Sequence, residues 1–186
     1  MWWCEYMSFM ELVKTRQSVR KYLNKPVEAE KLEQCIEAAR LAPSACNSQP
    51  WRVIIVNDPI LKEKVARETY SSVVQFNKFV HTAPVILVLV MEKPNISASI
   101  GSKIKDIDYA HIDLGIAAEH ICLQAAELGL GTCILGWFNE QPIKELLSIP
   151  SNKKIGLLIS IGYPENTDIR KKNRRPLEQV YSYNKY

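Results

Sequence analysis

The sequence lacks the marks of a metalloprotein, a disulfide-stapled domain or a membrane protein. Its five cysteines, Cys4, Cys35, Cys46, Cys122 and Cys133, are odd in number and include no C-x-x-C pair. Such spacing spells neither a disulfide framework nor a zinc site, and a reducing cytoplasm is the compartment expected of it. The histidines His81, His111 and His120 are scattered and form no H-E-x-x-H pattern, so no metal centre is expected. The longest purely apolar run, Val85 to Met91, is far short of the ~20 residues of a membrane helix. The leader 1–7 carries Trp2 and Trp3 beside Glu5 without a basic start or a long apolar core, so no secretory signal is expected. Charge of one sign is also scarce: 24 Lys+Arg against 20 Asp+Glu leave +4. That balance argues against a nucleic-acid partner and leaves room for a local anion site.

What is there is ordinary globular composition, 47% apolar and 24% charged over 186 residues, with no internal repeat and no low-complexity linker. One domain spanning 1–186 is expected, with 165–186 as a C-terminal extension. Ser8 to Glu11 has the spacing of a capping box, which predicts a helix from near Ser8 to near Arg16. Leu32, Cys35, Ile36 and Ala39 recur at helical spacing between Glu28 and Ala42, and Pro43 stops that helix. Glu28 stands where a capping Ser or Asp is commoner. Arg52 to Val56 is β-branched and short, a strand; Asp58-Pro59 then caps and opens a helix. Pro84 to Met91 lacks polar alternation, as do Thr132 to Leu135 and Ile155 to Ile161, which predicts strands buried on both faces. The longest helix is expected from about Asp108 to Leu128. Its polar residues Asp113, His120, Gln124 and Glu127 make one narrow stripe, so it is buried on most sides, part of that burial coming from another subunit.

Three segments bear on chemistry. If Arg16-Gln17-Ser18-Val19-Arg20 extends, residues 16, 18 and 20 share a side and place two guanidinium forks around a hydroxyl, donors suited to a phosphate monoester. The alternative is a solvated basic helix end. Ala42-Pro43-Ser44-Ala45-Cys46-Asn47-Ser48-Gln49-Pro50-Trp51 reads as a rigid recognition loop or as a plain turn with a core tryptophan. The basic run from Arg170 to Arg175 reads as a solvated end, unless the tail folds back beside the first segment.

The order R-x-S-x-R, A-P-S-x-x-N-x-Q-P-W, G-L-G-T-C with Ile134-Leu135-Gly136-Trp137, I-G-Y-P and a terminal basic-Pro-Leu resembles the FMN-dependent nitroreductase family across roughly residues 8 to 180. The resemblance implies an α+β sandwich, a mostly antiparallel central sheet flanked by helices, in an intertwined homodimer with FMN at the interface. It implies that Arg16, Gln17, Ser18 and Arg20 hold the phosphate and ribityl chain, joined by Lys172 and Arg174 from the extension. It further places Pro43, Ser44, Asn47 and Gln49 near the flavin, typically from the partner subunit, and Ile134, Leu135 and Gly136 at its N5 and O4 edge. Gln75 to Lys78 falls where relatives place a polar contact to the ring. Glu92 to Lys105, which shapes the substrate mouth in relatives, is short and polar here. The activity implied is hydride transfer from NADH or NADPH through FMN to a small-molecule acceptor, a nitroaromatic or a quinone. Two alternatives stay open: a specialised dehalogenase or dehydrogenase of the same fold, and a non-catalytic FMN store or sensor.

Overall fold

The computed structural model describes residues 7–186, so the tryptophans of the leader and Cys4 lie outside the described residues. Helix α1 (Phe9–Thr15) opens with the expected capping box: the Ser8 hydroxyl accepts from the Glu11 N–H at 3.3 Å, and the Glu11 carboxylate accepts from the Ser8 N–H at 2.8 Å. Helix α2 (Ala29–Arg40) starts at Glu28, whose side chain makes no cap bond. The Glu28 carboxylate instead accepts from the Tyr163 hydroxyl at 2.7 Å, which fastens the helix start to the chain beyond the sheet. Helix α3 (Pro59–Arg67) has Pro59 in its first turn and the Asp58 carboxylate accepting from the Leu61 N–H at 2.7 Å.

Strands β1 (Trp51–Val56), β2 (Val85–Met91), β3 (Gly131–Leu135) and β4 (Lys154–Gly162) form one sheet in the order β1-β2-β4-β3, each neighbouring pair antiparallel. The unbroken apolar sequence of β2 follows from its place in that sheet. Val85, Leu87 and Leu89 enter one core with α2 and the long helix α5 (Tyr109–Glu127), while Ile86, Val88 and Val90 enter a second with α3 and helix α6 (Glu140–Leu146). A strand covered on both faces has no solvent side to carry polar residues. Each of these side chains contributes about 1.5–3 kcal/mol through burial. The architecture is α+β, helices on both faces of an antiparallel sheet.

Helix α5 buries Leu114, Ala117, Ile121 and Ala125 against the sheet. A second apolar row, Ile112, Ile116 and Leu123, faces away and lines a groove of about 810 Å³ with Phe9 and Leu12 of α1. Ile112 is 51% and Phe9 67% exposed. The polar stripe divides: His120, Gln124 and Glu127 line this groove, whereas Asp113 is buried. Helices α4 (Ile96–Lys105) and α6 have no counterpart in the sequence reading. Helix α4 is started by the Asn95 side chain, which accepts from the Ala98 N–H at 2.9 Å. Among the described residues no helix is long and apolar enough to cross a membrane.

Candidate functional site

Beyond α1 the chain extends, Arg16 taking φ −56° and ψ 127°, and runs along the open edge of β3. Ser18 bridges Thr132 in parallel sense and the Val19 N–H donates to the Thr132 carbonyl at 2.8 Å. Tyr22 anchors the far end, its buried hydroxyl 2.9 Å from the Val19 carbonyl and 2.8 Å from the Ser160 hydroxyl. Burial pushes that phenol well above its ordinary pKa, so it stays a neutral hydrogen-bonding group. The extended reading of this segment is the one the fold adopts.

The C-terminal extension folds back onto it. The Gln17 amide nitrogen donates to the Asp168 carbonyl at 2.8 Å, and its oxygen accepts from the Arg170 N–H at 3.1 Å and from Arg170 Nε at 3.2 Å. Lys172 Nζ donates to the Val13 carbonyl at 2.6 Å. Between the two segments lies a cavity of about 320 Å³, walled by Arg16, Gln17, Ser18 and Arg20 on one side and by residues 170–174 on the other. The structure thus brings Arg16, Gln17, Ser18, Arg20, Lys172 and Arg174 together. It adds Arg170 and Lys171, which belong to the same basic run.

The electrostatics of this cavity are lopsided. Six cationic side chains line it, and among the described residues the carboxylate paired with one of them is Glu119 of α5, 2.8 Å from Arg16 Nη2. Arg170, Lys172 and Arg174 spend their hydrogen bonds on the neutral acceptors Ser18, Val13 and Asn173. Desolvation first, then the neighbouring Arg174 and Arg16, push the Lys172 amine below its ordinary range. Arg16 Nε is buried and has no acceptor among the described residues. Crowded cations of this kind repel one another, and an incoming anion offsets that cost. The donor set, forks plus an ammonium plus the Ser18 hydroxyl, fits a phosphate monoester.

The loop that follows α2 is a separate cluster: Pro43, Ser44, Asn47 and Gln49 do not line the basic cavity. Cys46, Asn47 and Gln49 take φ of 51°, 51° and 48°, left-handed backbone that is strained for residues with a Cβ. The loop is held from several sides. The Ser44 hydroxyl accepts from the Gln49 N–H at 2.9 Å, Asn95 Nδ2 donates to the Cys46 carbonyl at 2.9 Å, and both Asp113 carboxylate oxygens accept from the Ala45 N–H at 3.0 and 3.1 Å. Asp113→Ala strands that N–H, and a loss of about 1–3 kcal/mol is expected. Thermal unfolding checks it, with faster amide exchange at 44–49 as the local signature.

Ile134, Leu135 and Gly136 close the strand whose Thr132 pairs with Ser18; Leu135 is buried and Gly136 exposed. At ~3.3 Å per residue along a strand, Gly136 lies roughly 13 Å beyond Thr132. Gln75 turns its amide onto the Ser71 carbonyl at 2.6 Å, and Lys78 is exposed. Between them Asn77, which the sequence did not single out, is buried and donates to the Trp137 carbonyl at 3.1 Å. The Arg20 guanidinium lies 6.0 Å from the centre of the Phe79 ring. Asn95 was equally unmarked and Asp113 was read only as part of the polar stripe of α5, because their loop partners are backbone groups distant in sequence. Of the thiols, Cys133 is pushed up by burial, which suits an inert residue, while Cys46 is exposed.

A family model described as Nitroreductase family matches residues 13–163. The chain belongs to the nitroreductase family. It is similar to an NADH dehydrogenase of Thermus thermophilus, 28% identical over 191 residues that cover 89% of this chain and 90% of the relative. It is also similar to iodotyrosine deiodinase 1 of Rattus norvegicus, 29% identical over 196 residues covering 92% of this chain and 68% of the relative. Among solved structures, an FMN-dependent nitroreductase of Clostridium difficile superposes with a TM-score of 0.76 at 27% identity, over 96% of this chain and all of that one (100%). The nitroreductase fold accounts for the antiparallel sheet and its helical layers.

Proposed function

We propose that this nitroreductase-family chain is an NAD(P)H-dependent oxidoreductase that holds FMN and reduces a small conjugated acceptor, such as a nitroaromatic or a quinone. The observation that carries the reading is the cavity at the edge of β3 that six cations line, among which Arg16 alone is paired with a carboxylate, that of Glu119, among the described residues. The relatives support it, one an NADH dehydrogenase and another an FMN-dependent nitroreductase. Arg16, Arg20, Lys172 and Arg174 would hold the phosphate and Ser18 would donate its hydroxyl. The ribityl chain would follow β3 toward Leu135 and Gly136, whose backbone amides would meet the ring edge. FMN, when bound, supplies the hydride-carrying chemistry. The protein binds it, orients it and excludes water, and needs no acid–base pair of its own.

Ser44, Asn47 and Gln49, absent from the cavity in one chain, would reach the flavin from a second copy. The apolar groove of α1 and α5 is the surface for that copy: exposed Ile112 and Phe9 are costly to leave in water. The whole of 1–186 is read as one domain, its extension completing the site, and the free thiols suit the cytoplasm. The test is the visible spectrum of the purified protein under anaerobic conditions. A flavin band that bleaches with NADH or NADPH is expected. A protein that neither carries nor takes up FMN would sink the reading; a flavin that NAD(P)H leaves oxidised would turn it toward storage. The likeness to a deiodinase adds a second reading, reductive dehalogenation at the same site, which halogenated phenols in the acceptor panel would separate.

A further inference from the structure

The two walls of the basic cavity are held very differently. The wall formed by residues 16–20 is fixed to the sheet through Val19, Thr132 and the buried Tyr22. The other wall is the extension, which is exposed almost throughout and contains no helix or strand before the short 3₁₀ turn at Leu177–Gln179. It is fastened where the Glu165 N–H donates to the Lys21 carbonyl at 3.1 Å, where Lys172 meets Val13, and at Gln17. Gln17 is the densest of these points. Its amide offers a donor to the Asp168 carbonyl and an acceptor to both Arg170 N–H groups, as a peptide group in a neighbouring strand would. Arg170 completes the link through Nη2 to the Ser18 carbonyl.

We infer that Gln17 and Arg170 are positioning residues, a latch that holds the extension as the movable wall of the anion cavity and so sets how fast a phosphate-bearing flavin leaves. This rests on the reading that the cavity takes the FMN phosphate. Gln17 lines the cavity, yet its acceptor oxygen faces Arg170 and has nothing to give an anion; Arg170 spends Nε and Nη2 on the protein. Lys172 and Arg174 contribute their charge only when the extension is closed. Exposed polar contacts with little apolar burial beneath them mark the low-stability end of a fold, so the extension is the wall that opens. An anion that binds the closed form better shifts the population toward it, and weakening the latch shifts it back.

The experiment compares FMN with riboflavin, which lacks the phosphate, by stopped-flow release from the dimeric protein. In Gln17→Ala, FMN is expected to dissociate about tenfold faster, the loss of roughly one hydrogen bond to a charged partner, with riboflavin release unchanged. Arg170→Ala should match it, the double variant should add little because the two act as one unit, and Arg170→Lys should recover part of the effect. Unchanged FMN release, or equal acceleration of both flavins, overturns the inference. A second measurement needs no flavin: trypsin should cut the Lys171–Arg175 stretch faster in Gln17→Ala than in the parent. Equal cleavage rates also overturn the latch. Failure of the parent protein to take up FMN would instead strike the functional reading, and the trypsin comparison would still decide the latch.

Discussion

Replacing Arg16 with alanine is expected to weaken FMN binding about a hundredfold while leaving riboflavin within about threefold of the parent. Hydrogen bonds to a charged partner contribute about 1.5–3 kcal/mol, and about 1.4 kcal/mol is a factor of ten in affinity. Arg16 is singled out from the six cations by its surroundings. Glu119 holds one end of its fork at 2.8 Å, so the guanidinium is aimed before the anion arrives, and its buried Nε has no acceptor among the described residues. Removal acts twice in one direction, deleting a fork and leaving the Glu119 carboxylate without its cation near the phosphate. The affinity of the parent should also fall with ionic strength more steeply than that of the variant, because screening acts on the charges that remain. Arg16→Lys keeps the charge and loses the planar fork, so an intermediate loss is expected. Titration of flavin fluorescence at two salt concentrations measures all of this. An unchanged FMN affinity in Arg16→Ala would mean that the phosphate lies elsewhere.

Much of this arrangement was readable from local pattern, because its causes are local. The capping box at Ser8, the Asp58-Pro59 start and the unalternating run of β2 each follow from interactions within a few residues or from burial on both faces. The R-x-S-x-R segment was ambiguous on its own, since a basic helix end and an extended edge strand share its composition. Pairing of Val19 with Thr132 decides it, and that pairing depends on residues more than a hundred positions away. A separation of 68 positions likewise hid the role of Asp113, whose helical spacing groups it with His120 and Gln124 although its carboxylate caps Ala45. Gln17 was read as a cofactor-site residue from its place in the motif; it lines the cavity, and its hydrogen bonds to the extension depend on residues about 150 positions away. Helix α4 was masked by the polar residues around Ile96, Ile100 and Ile104, side chains that stay exposed and so leave no core-facing stripe to detect.

Gly131→Ala is the substitution expected to damage both fold and site. A Cβ built there would lie 2.5 Å from Val19 Cγ2, 2.8 Å from Val19 Cβ and 3.0 Å from Val19 Cγ1. A long side chain would swing aside, but Val19 is β-branched and stiff at χ1, and its own N–H is bonded to Thr132. The clash must therefore move backbone, lifting Ser18 and Arg20 off the edge of β3. Forced overpacking costs about 1–3 kcal/mol, which for a chain of this size lowers Tm by about 2–4 °C per kcal/mol, and FMN affinity should fall with it as the cations lose their alignment. Adding Val19→Ala removes two of the three clashing carbons and should recover part of both losses, whereas two unrelated defects would add. Gly136, at the other end of the same strand, has nothing within 4 Å of a built Cβ, so Gly136→Ala should leave the Tm of the flavin-free protein nearly unchanged. Thermal melts of the four proteins give the comparison. A Gly131→Ala protein as stable as the parent would mean that residues 16–20 do not lie against β3, and the cavity would lose the wall that aims its arginines.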